Sequence, residues 1–166
     1  TLSLHDALPI SLLRQGDLWD RAFLIRRGLV RLHFLQRDGH EYNKNFYAEG
    51  SLVAPIAPSM WSAPSLFGIS AIETVSLWVM DAAEMRRLLE ARGLWLPVRA
   101  VLLERLVTGK LQREHDLLAL DARERYAAFC SRLPDLAARV PLKHLATYLG
   151  VTDVSLSRIR RDPRRD

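Results

Sequence analysis

The hydrophobic period changes once, at Asp81, and that change divides the chain. From Ser11 to Met80 the apolar residues come in short runs rich in Phe, Leu, Ile, Val and Tyr, broken by glycine and proline. After Asp81 they recur every three or four residues. Runs of the first kind make strands, and the second period makes helices with one buried face. A β unit followed by a helical unit is the α+β class.

The first half reads as several short strands. In "AFLIRRGLVRLHFLQRDGHEYNKNFY" Gly28 interrupts the pattern once and Asp38-Gly39 interrupts it again. Asp-Gly between apolar runs predicts a hairpin with a tight primed turn, which needs positive φ. Glu49-Gly50 marks a further turn. "SLVAPIAPSMWSAPS" carries Pro55, Pro58 and Pro64, which keeps it out of the middle of a sheet. In "FGISAIETVSLWVM" the buried face is expected at Ile69, Ala71, Thr74 or Val75, Leu77 and Val79. Strands at this spacing form a barrel or roll.

The second half starts with "DAAEMRRLLEARG", which has an acidic cap, helix formers and a closing glycine. A long helix is predicted over about Leu94 to Leu120. Its first half is apolar nearly all round: Leu94, Leu96, Val98, Val101, Leu102, Leu103, Leu106 and Val107. Such a helix needs two partners. The β domain supplies one. The other is the same helix of a second subunit, with Val98, Val101, Leu102 and Leu106 at the interface, unless all packing stays within one chain. Asp121 to Glu124 is a capping box that opens the next helix, which stops before Pro134. Tyr126, Phe129, Cys130 and Leu133 share its buried face, so Cys130 reads as a small core residue.

"VPLKHLATYLGVTDVSLSRIRR" then sets two short helices around Gly150. Pro141 suits a first helical turn. Gly150 enters the left-handed conformation cheaply and ends the helix. Thr152 caps the next one. Leu145, Leu149, Val151, Leu156 and Ile159 form a shared core, and Ala146 must be small because the second helix crosses it. This is the spacing of a helix-turn-helix, whose second helix enters the major groove; a structural pair of helices is the alternative. Thr152, Asp153, Ser155 and Arg158 are the expected base readers, since an arginine grips guanine through two hydrogen bonds. Lys143, Ser157, Arg160 and Arg161 are expected on the DNA backbone, and Arg164 and Arg165 on phosphates or in solvent.

Charge agrees with that placement. The 166 residues carry a formal charge of +5. Five arginines less two aspartates put +3 of it between Ser157 and Asp166. A basic end fits an anionic partner, double-stranded DNA above all. With Cys130 as the single cysteine, a disulfide framework or a four-cysteine cluster within one chain is excluded. A reducing, cytoplasmic setting is expected. Pro97, Arg99, Glu104 and Arg105 break the longest apolar stretch, so no membrane span is expected. The chain has no glycine-rich phosphate loop, no nucleophile elbow and no His-Glu-x-x-His helix, so no enzyme and no cofactor is expected. His33, His40, His115 and His144 fall in no metal-ligand spacing.

The order of elements resembles the Crp/Fnr family of bacterial transcription regulators. The resemblance runs from Ser11 to Arg161 through "FLIRRGLVRLHF", "RDGHE", Glu49-Gly50, "ETVSLWVMD", "ERYAAF" and the segment around Gly150. It implies a jelly-roll-like cyclic-nucleotide-binding fold over 11–93, with a short helix at its end. It implies a long dimerisation helix over 94–120 and an all-α helix-turn-helix domain over 121–166. The molecule is then a homodimer on a near-palindromic DNA site, with an unknown small-molecule effector.

Two departures bear on function. The family's phosphate cassette places a glutamate on the ribose and an arginine on the cyclic phosphate. Here "EGSLVAPIAP" has no such glutamate, and Ser65 stands where the arginine belongs. A buried phosphate without a cation costs too much, so cyclic AMP is not the expected ligand. Met60, Trp61 and Phe67 either line an apolar ligand pocket or belong to a degenerate loop. The β wing of winged members is also missing after Arg161, through a short-tailed branch or truncation. A ligand-binding or protein-interaction module that has lost DNA reading is the alternative function. The opening "TLSLHDALPI" resembles a translated sequencing-adapter fragment, which would make 1–10 non-native; a short genuine leader is the other reading. No role is placed on His5 or Asp6.

Overall fold

The computed structural model describes residues 2–4 and 10–161, the first three as backbone. His5, Asp6, Arg164 and Arg165, singled out above, lie outside the described residues. The strands are β1 (Leu2–Leu4), β2 (Ser11–Leu13), β3 (Arg21–Arg27), β4 (Val30–Leu35), β5 (Glu41–Tyr47), β6 (Leu52–Val53), β7 (Gly68–Ala71) and β8 (Val75–Asp81). They form two four-stranded sheets, ordered β1-β8-β3-β6 and β2-β7-β4-β5, with antiparallel pairing throughout. Strand alternation fills the space between the sheets. Phe23, Ile25, Val75 and Leu77 from the first sheet meet Val30, Leu32, Ile69 and Ala71 from the second. The register pairs Ile25 with Leu77 and Leu32 with Ile69. Val75 rather than Thr74 takes the buried position, and Val79 is half-buried.

Asp38-Gly39 turns the β4–β5 hairpin, but not through a primed turn. The Gly39 N–H donates to the Gln36 carbonyl at 3.0 Å, and the Gln36 N–H donates to the His40 carbonyl at 2.9 Å. Among the described residues only glycines have positive φ, and Gly39 has +85°. Arg37 and Asp38 therefore occupy an ordinary type I corner, closed by a left-handed glycine bulge.

The helices are α1 (Pro58–Trp61), α2 (Ala82–Glu90), α3 (Trp95–Ala119), α4 (Ala122–Arg132), α5 (Pro134–Arg139), α6 (Leu142–Leu149) and α7 (Asp153–Arg161). Asp81 caps α2 by accepting the Glu84 N–H at 2.9 Å. The box at α4 closes both ways. Asp121 accepts the Glu124 N–H, and Glu124 accepts the Asp121 N–H, each at 2.8 Å. Pro134 does more than stop α4, because it starts α5, where a missing N–H costs nothing. Leu133 is the joint between the two helices and is 40% exposed, so it does not join Phe129 in the core. Cys130 is half-buried.

Helix α3 has two unlike sides. Trp95, Leu102 and Leu103 pack on Ala22, Ala54, Ile56 and Met85 of the roll and α2. Arg99 Nε fastens the helix to the Ile56 carbonyl at 2.9 Å. Leu96, Val107, Leu111 and Leu118 are 69%, 52%, 61% and 81% exposed. Those four fall along one side of a 3.6-residue helix. Leu102, expected at a subunit interface, instead faces its own chain. Val98 and Leu106 are half-buried, and Val101 is 47% exposed. Among the described residues no helix is long and apolar enough to cross a membrane.

The last helices rest on the outer face of β4 and β5. Leu29 and Phe46 of the roll share a core with Phe129, Val140, Leu145, Ala146, Leu149 and Leu156. A polar network binds the same junction, centred on the fully buried Asn43. Its Nδ2 donates to Thr147 Oγ1 at 2.7 Å and to the His144 carbonyl at 3.1 Å. Arg31, 4% exposed, donates to Asn43 Oδ1 at 3.3 Å and pairs with Glu41 at 2.6 Å. Arg139 forks onto both oxygens of Glu49 at 2.9 Å and reaches Glu73 as well. A two-pronged arginine–carboxylate contact fixes orientation as well as distance.

Candidate nucleic-acid interface

The interface is built from the turn outward. Gly150 has φ +71° and ψ 35° and ends α6 in the left-handed conformation. Its N–H and that of Val151 both donate to the Ala146 carbonyl. That closure sends the chain across α6, and Ala146 and Leu156 are both fully buried in the crossing. Leu145 and Leu149 are buried beside them, while Val151 and Ile159 are half-buried. Thr152 caps α7 by accepting the Ser155 N–H at 3.2 Å.

That packing fixes which side chains of α7 face outward. Asp153, Arg158, Arg160 and Arg161 are exposed, as is Lys143 on α6. Thr152 and Ser155, expected as base readers, bond each other through their hydroxyls at 2.9 Å. Ser155 and Ser157 are half-buried. Tyr126 of α4 has its phenol pKa raised by burial and by Cys130, and Arg160 opposes that shift. Arg160 therefore sits against α4 as well as in solvent. Val154 is 61% exposed near the start of α7, where no apolar reader is expected from the sequence. The crossing of the helices turns it outward, two residues from the buried Leu156.

At the junction, burial first, then Arg31 and Lys143, lower the His144 pKa to about 4. Arg139 holds the Glu49 carboxyl at about 2. A second basic feature lies between the roll and α3. Lys44 sits over the Phe67 ring at 5.0 Å, and burial, Lys110 and Arg113 bring its pKa down to about 8. Arg113 donates to the carbonyls of Asn43 and Lys44 and lies 4.3 Å over the Tyr148 ring. Nothing local in the sequence signals this cluster, because β5 and α3 are brought together only by the fold.

The segment that stands in place of the family's phosphate cassette is engaged in its own packing. Ser65 is 8% exposed and its hydroxyl donates to the Phe67 carbonyl at 2.8 Å. Met60, Trp61 and Phe67 do not converge on one pocket. Phe67 stands edge-on to Trp19 at 5.5 Å against the roll interior, and Met60 packs between two clusters. Trp61 alone of the three lines a cavity of about 230 Å³ beside α2.

Two antiparallel sheets closed by helices, with a helix-turn-helix packed on one of them, define the class: a β-roll domain joined to a helix-turn-helix. Residues 11–92 match the family model described as the cyclic nucleotide-binding domain. Among the solved structures that share the fold are regulators of the Crp/Fnr family. FixK2 from Bradyrhizobium japonicum aligns with a TM-score of 0.80 at 17% identity, covering 92% of this chain and 79% of that one. A transcriptional regulator of the CRP family from Thermus thermophilus gives 0.74 at 18%, covering 96% and 83%. CLP from Xanthomonas campestris, a c-di-GMP responsive global regulator, gives 0.75 at 15%, covering 92% and 81%. At these identities the likeness is one of fold. No curated protein sequence matches the chain.

Proposed function

We propose that the chain is a sequence-specific DNA-binding transcription regulator of the Crp/Fnr type that works as a homodimer. The observation that carries the reading is the left-handed Gly150 turn over a fully buried Ala146–Leu156 crossing, which leaves Asp153, Val154 and Arg158 outward on α7. Arg158 is the guanine reader, Val154 meets a thymine methyl, and Asp153 accepts from a cytosine amine. Thr152 and Ser155 serve first as the cap. Lys143, Ser157 and Arg161 take the DNA backbone, with Arg160 shared between phosphate and Tyr126. The exposed stripe Leu96–Val107–Leu111–Leu118 supports the dimer, and Val101 is exposed about a quarter turn or more round the helix from it. Val98, half a turn round the helix from Val107, and the half-buried Leu106 lie off the stripe, and Leu102 serves its own chain.

The sensor domain does not bind cyclic AMP in this reading. Ser65 offers a hydroxyl already committed to a carbonyl where a phosphate would need a cation. Calorimetry with cyclic AMP shows no saturable heat if this holds; micromolar binding overturns it. For DNA, an electrophoretic shift on a selected duplex weakens steeply with salt, because each phosphate contact adds about 0.9 to the logarithmic slope. Arg158→Ala costs about 1–3 kcal/mol on that duplex and relaxes one base position. Unchanged base preference removes Arg158 from the readers.

A further inference from the structure

The roll carries a second feature that neither the DNA reading nor the phosphate segment uses. A cavity of about 230 Å³ lies where the entry to β3, the end of β8, α2 and the start of α3 meet. Three of the chain's four tryptophans wall it: Trp19, Trp61 and Trp95. Trp19 and Trp95 are 4% and 8% exposed, so two of these rings are fixed in the core. Arg86 also lines the cavity, with its guanidinium 5.2 Å over the Trp61 ring. Asp20 and Asp81 complete the polar part of the wall.

Two unpartnered donors lie behind the walls rather than on them. The buried Trp19 Nε1 and Arg86 Nε have no hydrogen-bond partner among the described residues. The nearest acid to Arg86 Nε is Glu90 at 3.7 Å. Both atoms are sealed from the cavity's open space, so an occupant meets Trp19 through its ring and reaches Arg86 through the terminal nitrogens of its guanidinium. Asp81 is partly engaged in capping α2, and Asp20 is 3.6 Å from Arg21. Both keep oxygens that can accept. One guanidinium against two carboxylates disfavours an anion, which excludes phosphates and carboxylates as the main occupant. Three aromatic faces favour a flat π system. The volume falls below the roughly 300–1,000 Å³ of pockets for drug-sized molecules, so the occupant is no larger than about two fused rings.

We propose that this tryptophan-walled cavity is a binding site for a small, neutral, planar heteroaromatic molecule that carries both a hydrogen-bond acceptor and an N–H donor. The acceptor meets the terminal nitrogens of Arg86, the donor meets Asp20 or Asp81, and the ring lies among the indoles. This gives the sensor domain a ligand class, and it is tested without DNA, so its failure leaves the DNA reading standing.

The probe is quinazolin-4-one, which is flat, uncharged and has a carbonyl beside an N–H. The full ¹⁵N-labelled chain is titrated and its four indole N–H signals are followed. Trp78 is the internal control, because it is 49% exposed on β8 beneath Arg26 and does not line the cavity. The signals of Trp19, Trp61 and Trp95 shift together and saturate while Trp78 stays. The anionic quinoline-4-carboxylate binds about tenfold more weakly or worse, and Arg86→Met weakens quinazolin-4-one about tenfold, each near 1.4 kcal/mol. The absence of any saturable shift overturns the proposal. So does a Trp78 shift with the same midpoint, or a carboxylate that binds as tightly as the neutral probe.

Discussion

Replacing Asn43 by leucine tests whether the helix-turn-helix is truly docked on the sheet. Asn43 loses three contacts at once: Thr147 Oγ1 at 2.7 Å, the His144 carbonyl at 3.1 Å and Arg31 Nη1 at 3.3 Å. A net hydrogen bond is worth about 1 kcal/mol, and a buried group left without a partner adds about 1–3. Arg31 keeps Glu41, and Thr147 still donates to the His144 carbonyl at 3.2 Å, which limits the orphan cost. The expected loss is about 2–4 kcal/mol, or roughly 4–16 °C in Tm for a chain of this size. The Arg31 contact lies within the roll, so the single variant alone does not isolate the junction. A double-mutant cycle with Thr147→Val does. Urea unfolding at one fixed protein concentration, where linkage to the dimer is constant, should give a coupling of about 0.5–2 kcal/mol. Additivity within about 0.3 kcal/mol would refute the docking of α6 on β5.

Three further outcomes follow from the same geometry. The folded-state pKa of His144 lies near 4 against an ordinary 6.5, so the folded chain binds fewer protons there. Its contribution is full above pH 6.5 and is lost as pH falls towards 4, and the Glu49–Arg139 contribution follows from about 4.5 down to 2. Unfolding midpoints measured from about pH 7.5 to 4 should fall, with His144→Gln flattening the upper part of that fall; an unchanged slope contradicts the assignment. Leu111→Glu places a charge in the middle of the exposed α3 stripe and should shift the chain from dimer to monomer by sedimentation, with little loss of monomer stability. Ala146→Leu forces extra methylenes into a fully buried crossing and should cost about 1–3 kcal/mol and DNA binding together, whereas Ala146→Gly should retain binding.

Local signals carried the elements and long-range contacts carried the junctions. The period change at Asp81, the Asp121–Glu124 box and the Gly150 turn are written in neighbouring residues, so they can be read directly. Arg31 and His33 alternate with Val30 and Leu32 on β4, and such alternation reads as a solvent face. Arg31 is 4% exposed because α6, more than a hundred residues later, lands on it, whereas His33, at 8%, is covered within the roll beside Gly68 and Glu41. Leu102 packs on its own roll and Val154 faces outward because an apolar residue on a helix does not say which neighbour it faces. Pro134 reads as a stop because a proline that ends one helix and one that begins another look alike until the next turn is seen. The tryptophan cavity joins residues at 19, 61 and 95, and no spacing rule connects them.

The central claim is that α7 reads DNA from one face of a two-fold dimer. Selection from a random duplex library with the purified full chain tests it most directly, because the enriched sequence reports both the reader and the symmetry. The expected product is a near-palindromic site with half-sites about one helical turn, roughly 10 base pairs, apart. Arg158→Ala should lose preference at one base in each half-site. A library that emerges unenriched, or the same preference from wild type and Arg158→Ala, would contradict it.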